Sequence, residues 1–484
     1  MSIKWDGIQP AKGLGLELSE PSGFKALGLL FEVPLSHSHP GGGAAITIHA
    51  DLVYDSEGID QSTAKTVLES VLRQSRARGL CLYLCGGPGD ANPASKNPSL
   101  TRELLRRFGP VLYVDYRGTG KSSAVTKHTL ASKTAEEAAW YLSHFRQDSI
   151  AADLEAIRKS LGGGGGGGGV KFVLVGQSFG GWIAMTYLSY LPGSLAEVWI
   201  FGGMPPMGST PDQVYQALYD RLVRVNQAYY SRYPEDKARV MRVVERLSTA
   251  DNGRGLLISQ ETGERLTGRG FLTMGRHLGG QGGFETVHAL VELFSRDVEA
   301  GGFSSQTVQS FRRANGAGFK LPQRPLYGAL HEAIYCSGPG VAFNWAAQRV
   351  GRGQAGGNFA WLGRNFRFEF PFPDRADPLF FSAEMIFDFM LPDAGPELGP
   401  FVRAAEILAQ KRDWPALYDL DALGRNTVPL RALMYPRDLY VDFELSKIAA
   451  ARVSNCRAVT APRHWLHAAV KTNPKEAFEF LANA

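Results

Sequence analysis

The chain has 484 residues, of which 44% are apolar and 20% charged, and its formal net charge is +5. Such a length calls for several domains, or for one large domain carrying an insertion. The excess positive charge forms no Lys/Arg block, which excludes nucleic acid as the main partner.

The opening stretch, MSIKWDGIQPAKG, has no apolar core of the signal-peptide type. No apolar run reaches the ~18 residues of a membrane span, so no membrane partner is expected. The four cysteines (Cys81, Cys85, Cys336 and Cys456) show no metal-ligand spacing. They read as thiols of a cytoplasmic protein, and neither a metal nor a cofactor is implied.

In chain order, residues 26–34 and 45–54 are rich in β-branched and apolar residues and flank a turn, SHSHPGGG. GLCLYLCGGPGD and VLYVDYRGTGKSS each run from an apolar strand into a glycine-punctuated loop. Thr134 with Glu137 is a capping box, and Ile150, Leu154, Ile157 and Leu161 recur at helical spacing. Eight glycines, 162–169, form a flexible surface loop without the Lys-Ser/Thr of a phosphate loop. VKFVLVG is again a strand, and WIAMTYLSYLP a helix ending at Pro192. Strands alternating with helices imply a mostly parallel α/β sheet. From about 205 to 418 the segments are helical and rich in aromatics, and after Asn426 the strand VPLRALMYPRD returns. The expected organisation is an α/β core, 1–204, a helical cap, 205–418, and a second core segment, 419–484.

Ser178 stands in Gly176-Gln177-Ser178-Phe179-Gly180, between the strand and the helix. Glycine fills 56 positions, so the pentapeptide alone is weak evidence; its setting is stronger. A strand, a one-residue corner and a helix are what a nucleophile elbow requires. The serine is forced into strained backbone angles, and side chains at the flanking glycines would strike the adjoining strand and helix. The free N–H groups of the helix start suit a developing oxyanion. A second donor fits the loop Gly86-Gly87-Pro88-Gly89, where glycine allows close backbone approach. The acid and base should follow in the order Ser, Asp, His. Asp438 ends a strand and is favoured over Asp442, which suits the first turn of a helix. Of the late histidines, His467 is favoured over His464.

In these residues the chain resembles the prolyl aminopeptidases (proline iminopeptidases), serine peptidases of the α/β-hydrolase fold. Gly86–Gly89, Asp115-Tyr116-Arg117-Gly118-Thr119-Gly120-Lys121-Ser122 and Gly176–Gly181 match its successive motifs. YYSRYPED, LHEAIYCSG, NWAAQR, SAEMIFDFM and DLYVDFELS match its longer, fungal- and actinobacterial-like branch. The resemblance implies an eight-stranded core beneath a helical cap. It also implies metal-free removal of N-terminal proline from short peptides, with Ser178, Asp438 and His467 as the triad. Backbone N–H groups of Gly87 and Phe179 would form the oxyanion hole, with Gly86 the alternative to Gly87. Where the family often has His before the loop, this chain has Cys85.

An exopeptidase must hold a protonated amine, which needs a carboxylate. Glu235, Glu332 and Glu384 are the candidates in the cap, with Tyr335 or Trp345 lining the proline pocket. The rival readings are an α/β-hydrolase of esters or amides with the same triad, and a non-catalytic binding protein on this fold.

Overall fold

The computed structural model describes residues 2–39, 43–93, 96–162, 169–314, 321–364, 366–370, 372 and 377–484. Most of the glycine run expected to be a surface loop, 163–168, lies outside the described residues.

Nine strands form the main sheet: β1 Lys12–Ser19, β2 Lys25–Pro34, β3 Ala45–Tyr54, β4 Leu80–Leu84, β5 Val111–Val114, β6 Phe172–Gln177, β7 Leu195–Phe201, β8 Leu430–Met434 and β9 Cys456–Thr460. Their order is β1-β2-β3-β5-β4-β6-β7-β8-β9. The first three pairings are antiparallel and the five from β5 to β9 are parallel. Strands β4, β5 and β6 are buried at every position. This explains their uninterrupted apolar runs, since a parallel sheet is covered on both faces. Among the helices are α1 Ala64–Ser75, α2 Pro98–Phe108, α3 Gln147–Leu161, α4 Phe179–Tyr190, α5 Pro211–Arg232, α6 Asp236–Gly253, α7 Gly283–Glu299, α8 Gly399–Gln410, α9 Phe443–Ala450 and α10 Pro474–Asn483.

The sheet has one strand more than the eight expected. The extra strand is β1, an edge strand exposed at every position, with a register shift at Leu14, between Gly13 and Gly15. The sequence order also passed over α2, which carries the chain from β4 back to its parallel neighbour β5. Such a crossover is obligatory between parallel strands. Its start is well specified: the Asn97 side chain accepts the Leu100 N–H, and Pro98 stands at the first helical position. The capping box of Thr134 and Glu137 is formed, and opens the helix Ala135–Leu142.

Between β7 and β8 the chain is predominantly helical, with a two-stranded ribbon, Leu256–Leu257 against Arg265–Leu266. Asp236 is fully buried and accepts from Tyr229 (2.5 Å), His288 (2.9 Å) and Arg239 (3.0 Å), which joins α5, α6 and α7. Arg146 ties this segment to the sheet-bearing part. Its guanidinium donates to the carbonyls of Cys336 (2.5 Å) and Pro415 (3.0 Å) and pairs with Asp148 at 2.9 Å.

The motif Asp115–Ser122 has a structural task. Arg117 is buried and makes a two-pronged pair with Asp153 at 2.7 and 2.6 Å. Asp115 accepts the N–H groups of Asn92 (2.7 Å) and Lys121 (2.9 Å). It thereby fixes the loop after β4 that carries Gly86 and Gly87.

Candidate active site

Because β4, β6 and β8 are parallel, their carboxyl ends open on one side of the sheet, and each leads into a candidate residue. Ser178 follows β6 with φ of 54° and ψ of −124°. That left-handed φ is strained for a residue with a side chain, and the glycines on either side make it possible. A Cβ on Gly180 would lie 2.0 Å from the Leu84 carbonyl oxygen of β4, and one on Gly176 would lie 2.7 Å from the Gly180 oxygen. The serine is thus held where the start of α4 crosses the sheet, with Phe179 as the first helical residue.

The loop after β4 presses directly on this corner. A Cβ on Gly86 would lie 2.6 Å from both the Ser178 Cβ and the Gln177 Oε1. Gly87 has φ of 92°. Cys85 is buried, and burial pushes its thiol up to about 11, so it stays protonated at neutral pH.

Asp438 follows β8 and is 2% exposed. Its Oδ1 accepts the N–H groups of Tyr440 (2.8 Å) and Val441 (3.1 Å). Its Oδ2 lies 2.7 Å from His467 Nδ1. A carboxylate only accepts, so Nδ1 carries the proton and Nε2 is left as the basic nitrogen. Asp442 does something else: it caps α9, accepting the Leu445 N–H at 2.9 Å, and pairs with Arg221 at 3.2 Å. His467 lies on a turn and His464 is exposed, so the two do not share a helical face.

Ser178, Phe179, Gly86, Gly87 and His467 line one cavity of about 180 Å³. Residues between β7 and β8 complete its wall, among them Glu384, Tyr335, Tyr327, Arg276 and Arg324. The three glutamates thus have three different surroundings. Glu384 is in the wall, hydrogen-bonded to Tyr327, whose hydroxyl burial and this carboxylate together hold well above its ordinary range. Burial also lowers the pKa of Arg276, and Glu384 opposes that shift. Glu332 is 2% exposed, outside the wall, and accepts the N–H groups of Ala346 (2.7 Å) and Ala347 (2.9 Å) at the start of a short helix. Burial drives its carboxyl up to about 8, against those two donors. Glu235 is exposed just before α6, with Arg239 at 3.5 Å, and does not reach the cavity. The expectation that it meets a substrate amine finds no support in this placement. Of the two aromatics expected around a proline ring, Tyr335 lines the cavity and stacks edge-on with Trp182 at 6.5 Å. Trp345 instead lines a separate cavity beside Arg349.

Several wall residues carried no sequence signal as site residues. Tyr440 packs on the His467 ring at 4.7 Å and donates to the Arg276 carbonyl at 2.7 Å. Asp90 pairs with Arg324 in the cavity wall. Asp90 ends the GGPGD stretch and could have been read there; Arg276, Arg324 and Lys471 are placed by tertiary packing alone. All four cysteines are free thiols, as expected.

A family profile described as alpha/beta hydrolase fold matches residues 82–244. The chain is 35% identical to a proline iminopeptidase of Aeromonas sobria over 433 residues, covering 88% of this chain and 89% of that protein. It is 31% identical to a proline iminopeptidase of Aspergillus aculeatus over 452 residues, covering 93% and 91%. The crystal structure of proline iminopeptidase from Mycobacterium smegmatis superposes with a TM-score of 0.41 at 12% identity over 93% of this chain and 96% of that one, too loosely to add to the assignment. Full-length identity at this level, on a sheet whose strand ends carry a strained serine and an Asp–His pair, makes the chain a member of the proline iminopeptidase family of α/β-hydrolases.

Proposed function

We propose that the protein is a serine exopeptidase that releases N-terminal proline from short peptides, with Ser178, His467 and Asp438 as its triad. The observation that carries this reading is the 2.7 Å contact of His467 Nδ1 with Asp438, beside a serine strained at φ 54° in the same cavity wall. His467 Nε2 takes the Ser178 proton as the hydroxyl oxygen attacks the prolyl carbonyl. The N–H groups of Gly87 and Phe179 receive the oxyanion. His467 then gives its proton to the leaving amine, and water hydrolyses the prolyl ester on the same base. Asp438 fixes the imidazole tautomer and stabilises the imidazolium.

The segment 205–418 acts as a cap in this reading, and Glu384 receives the protonated proline nitrogen. Glu384 is favoured over Glu332 and Glu235 because it alone of the three lines the cavity. Tyr335, Trp182 and Ile334 offer the ring an apolar wall.

The test is release of p-nitroaniline from prolyl-p-nitroanilide, with N-acetylprolyl- and alanyl-p-nitroanilide in parallel, for the wild type and Ser178→Ala. Cleavage of the free prolyl substrate, lost by ~10³-fold or more in the variant, is expected. Equal turnover of the N-blocked substrate would remove the amine site and leave a general ester or amide hydrolase.

A further inference from the structure

Lys471 has no part in the reaction above, yet its side chain lines the catalytic cavity. It sits four residues after His467 in the short helix Ala469–Thr472, and its carbonyl is held by the Asn97 side chain at 2.8 Å. The groups it senses are Cys85, Lys96, Asp90 and Glu384, so the ammonium stands where the loop after β4 meets the His467 segment. Burial lowers its pKa. Among the described residues, Lys471 Nζ takes part in no ion pair and no hydrogen bond. Asp90, the nearby acid, is already engaged: Arg324 pairs with one oxygen, and Lys96 lies 3.4 Å from the other. Glu384 faces Arg276 and hydrogen-bonds Tyr327.

A cation pressed into a wall without a counter-ion is unfavourable until an anion joins it. The reaction brings one. His467 delivers its proton to the leaving amine, so the leaving residue lies on the His467 side, and in a dipeptide its α-carboxylate is two bonds from that amine. We infer that Lys471 receives the C-terminal carboxylate of the residue released after proline, which makes prolyl dipeptides the preferred substrate class. This rests on the exopeptidase reading above. A dipeptide zwitterion then meets opposite charges at its two ends, Glu384 at the amine and Lys471 at the carboxylate, and it suits a cavity of only about 180 Å³.

The experiment compares kcat/KM for Pro-Gly and Pro-Gly-amide on the wild type, Lys471→Met and Lys471→Arg, with prolyl-p-nitroanilide alongside. The wild type is expected to prefer the free carboxylate by about tenfold or more, through KM. Lys471→Met should bring that ratio within about twofold of unity, and Lys471→Arg should keep a preference, since either cation can pair with a carboxylate. A wild type that cleaves the anilide and treats the two peptides alike overturns the inference while leaving the exopeptidase reading intact; that arm needs no variant to fold. A wild-type ratio in Lys471→Met removes the assignment to Lys471. Failure to cleave all three substrates removes the underlying reading, and this inference with it.

Discussion

Replacing Asp438 by Asn tests the triad through its tautomer. Asp438 Oδ1 accepts two backbone N–H groups, from Tyr440 and Val441, while Oδ2 faces His467 Nδ1 at 2.7 Å. An amide at this position has one oxygen to give. Turned the wrong way, its NH2 would strand two backbone donors in a site only 2% exposed, at about 1–3 kcal/mol each. The Asn oxygen therefore stays with Tyr440 and Val441, and its NH2 points at His467. Nδ1 must then accept, the proton moves to Nε2, and the ring can no longer deprotonate Ser178. The expected loss in kcat is about 10³–10⁴-fold, or roughly 4–5.5 kcal/mol. The melting temperature should change little, because both backbone donors keep a partner. Asp438→Ala is expected to lose stability as well, about 2–6 kcal/mol, or roughly 2–6 °C for a chain of this size. The assay is prolyl-p-nitroanilide turnover with thermal unfolding of the same samples. An Asn variant within tenfold of wild-type kcat would refute the argument that Asp438 sets the imidazole tautomer.

Glu384→Gln is expected to raise KM for prolyl-p-nitroanilide by about 30-fold or more, as for a lost partner of a desolvated charge, whereas Glu235→Gln should stay within about twofold; steady-state kinetics on both variants checks the pair. Gly180→Ala places a methyl 2.0 Å from the Leu84 carbonyl oxygen and should destabilise the fold by at least about 2 kcal/mol, read as a lower denaturation midpoint. Glu332 has a folded pKa near 8, above its unfolded value of about 4.3. The folded state therefore holds a proton that the unfolded chain releases, and stability falls by about 2 kcal/mol as pH rises from 6 to 8. Glu332→Gln should flatten that slope, and melting temperatures across the range decide it.

The serine corner was legible because its constraints are local. Gly176, Ser178 and Gly180 answer to one strand, one turn and one helix start, all within a few residues. Asp438 was legible because a strand end is visible as an apolar run that stops. Chain order pointed to the late histidines, His464 and His467, and it is the 2.7 Å contact with Asp438 that separates them. The edge strand β1 was harder to read: all eight residues are exposed, and two glycines dilute the alternation of Leu14, Leu16 and Leu18. The start of α2 is written in Asn97-Pro98, but it follows a glycine-rich loop within a few residues, where turn signals outweigh a single cap. The glutamates between β7 and β8 show the limit of sequence. Glu235 and Glu384 stand in equally distinctive stretches, YYSRYPED and SAEMIFDFM, and only the packing of the 148 intervening residues decides which one meets the cavity.

That division has a chemical consequence. Every group proposed to move a proton or hold the oxyanion is attached to the end of a sheet strand or to the turn next to it, and the central strands are buried at every position. Glu384, Tyr335, Tyr327, Arg276 and Arg324 all come from the helical segment between β7 and β8. The two sets meet at the cavity and along ties such as Arg146, whose donors reach the carbonyls of Cys336 and Pro415. In the proposed reading a side-chain change in that segment at Glu384 therefore acts on which substrate ends are recognised, whereas one at Arg221, which donates to the Pro436 carbonyl and pairs with Asp442, also reaches the loop that carries Asp438. Side-chain changes that alter KM and the preference among substrates should fall in that segment. Changes that lower kcat for all substrates alike should fall at the strand ends.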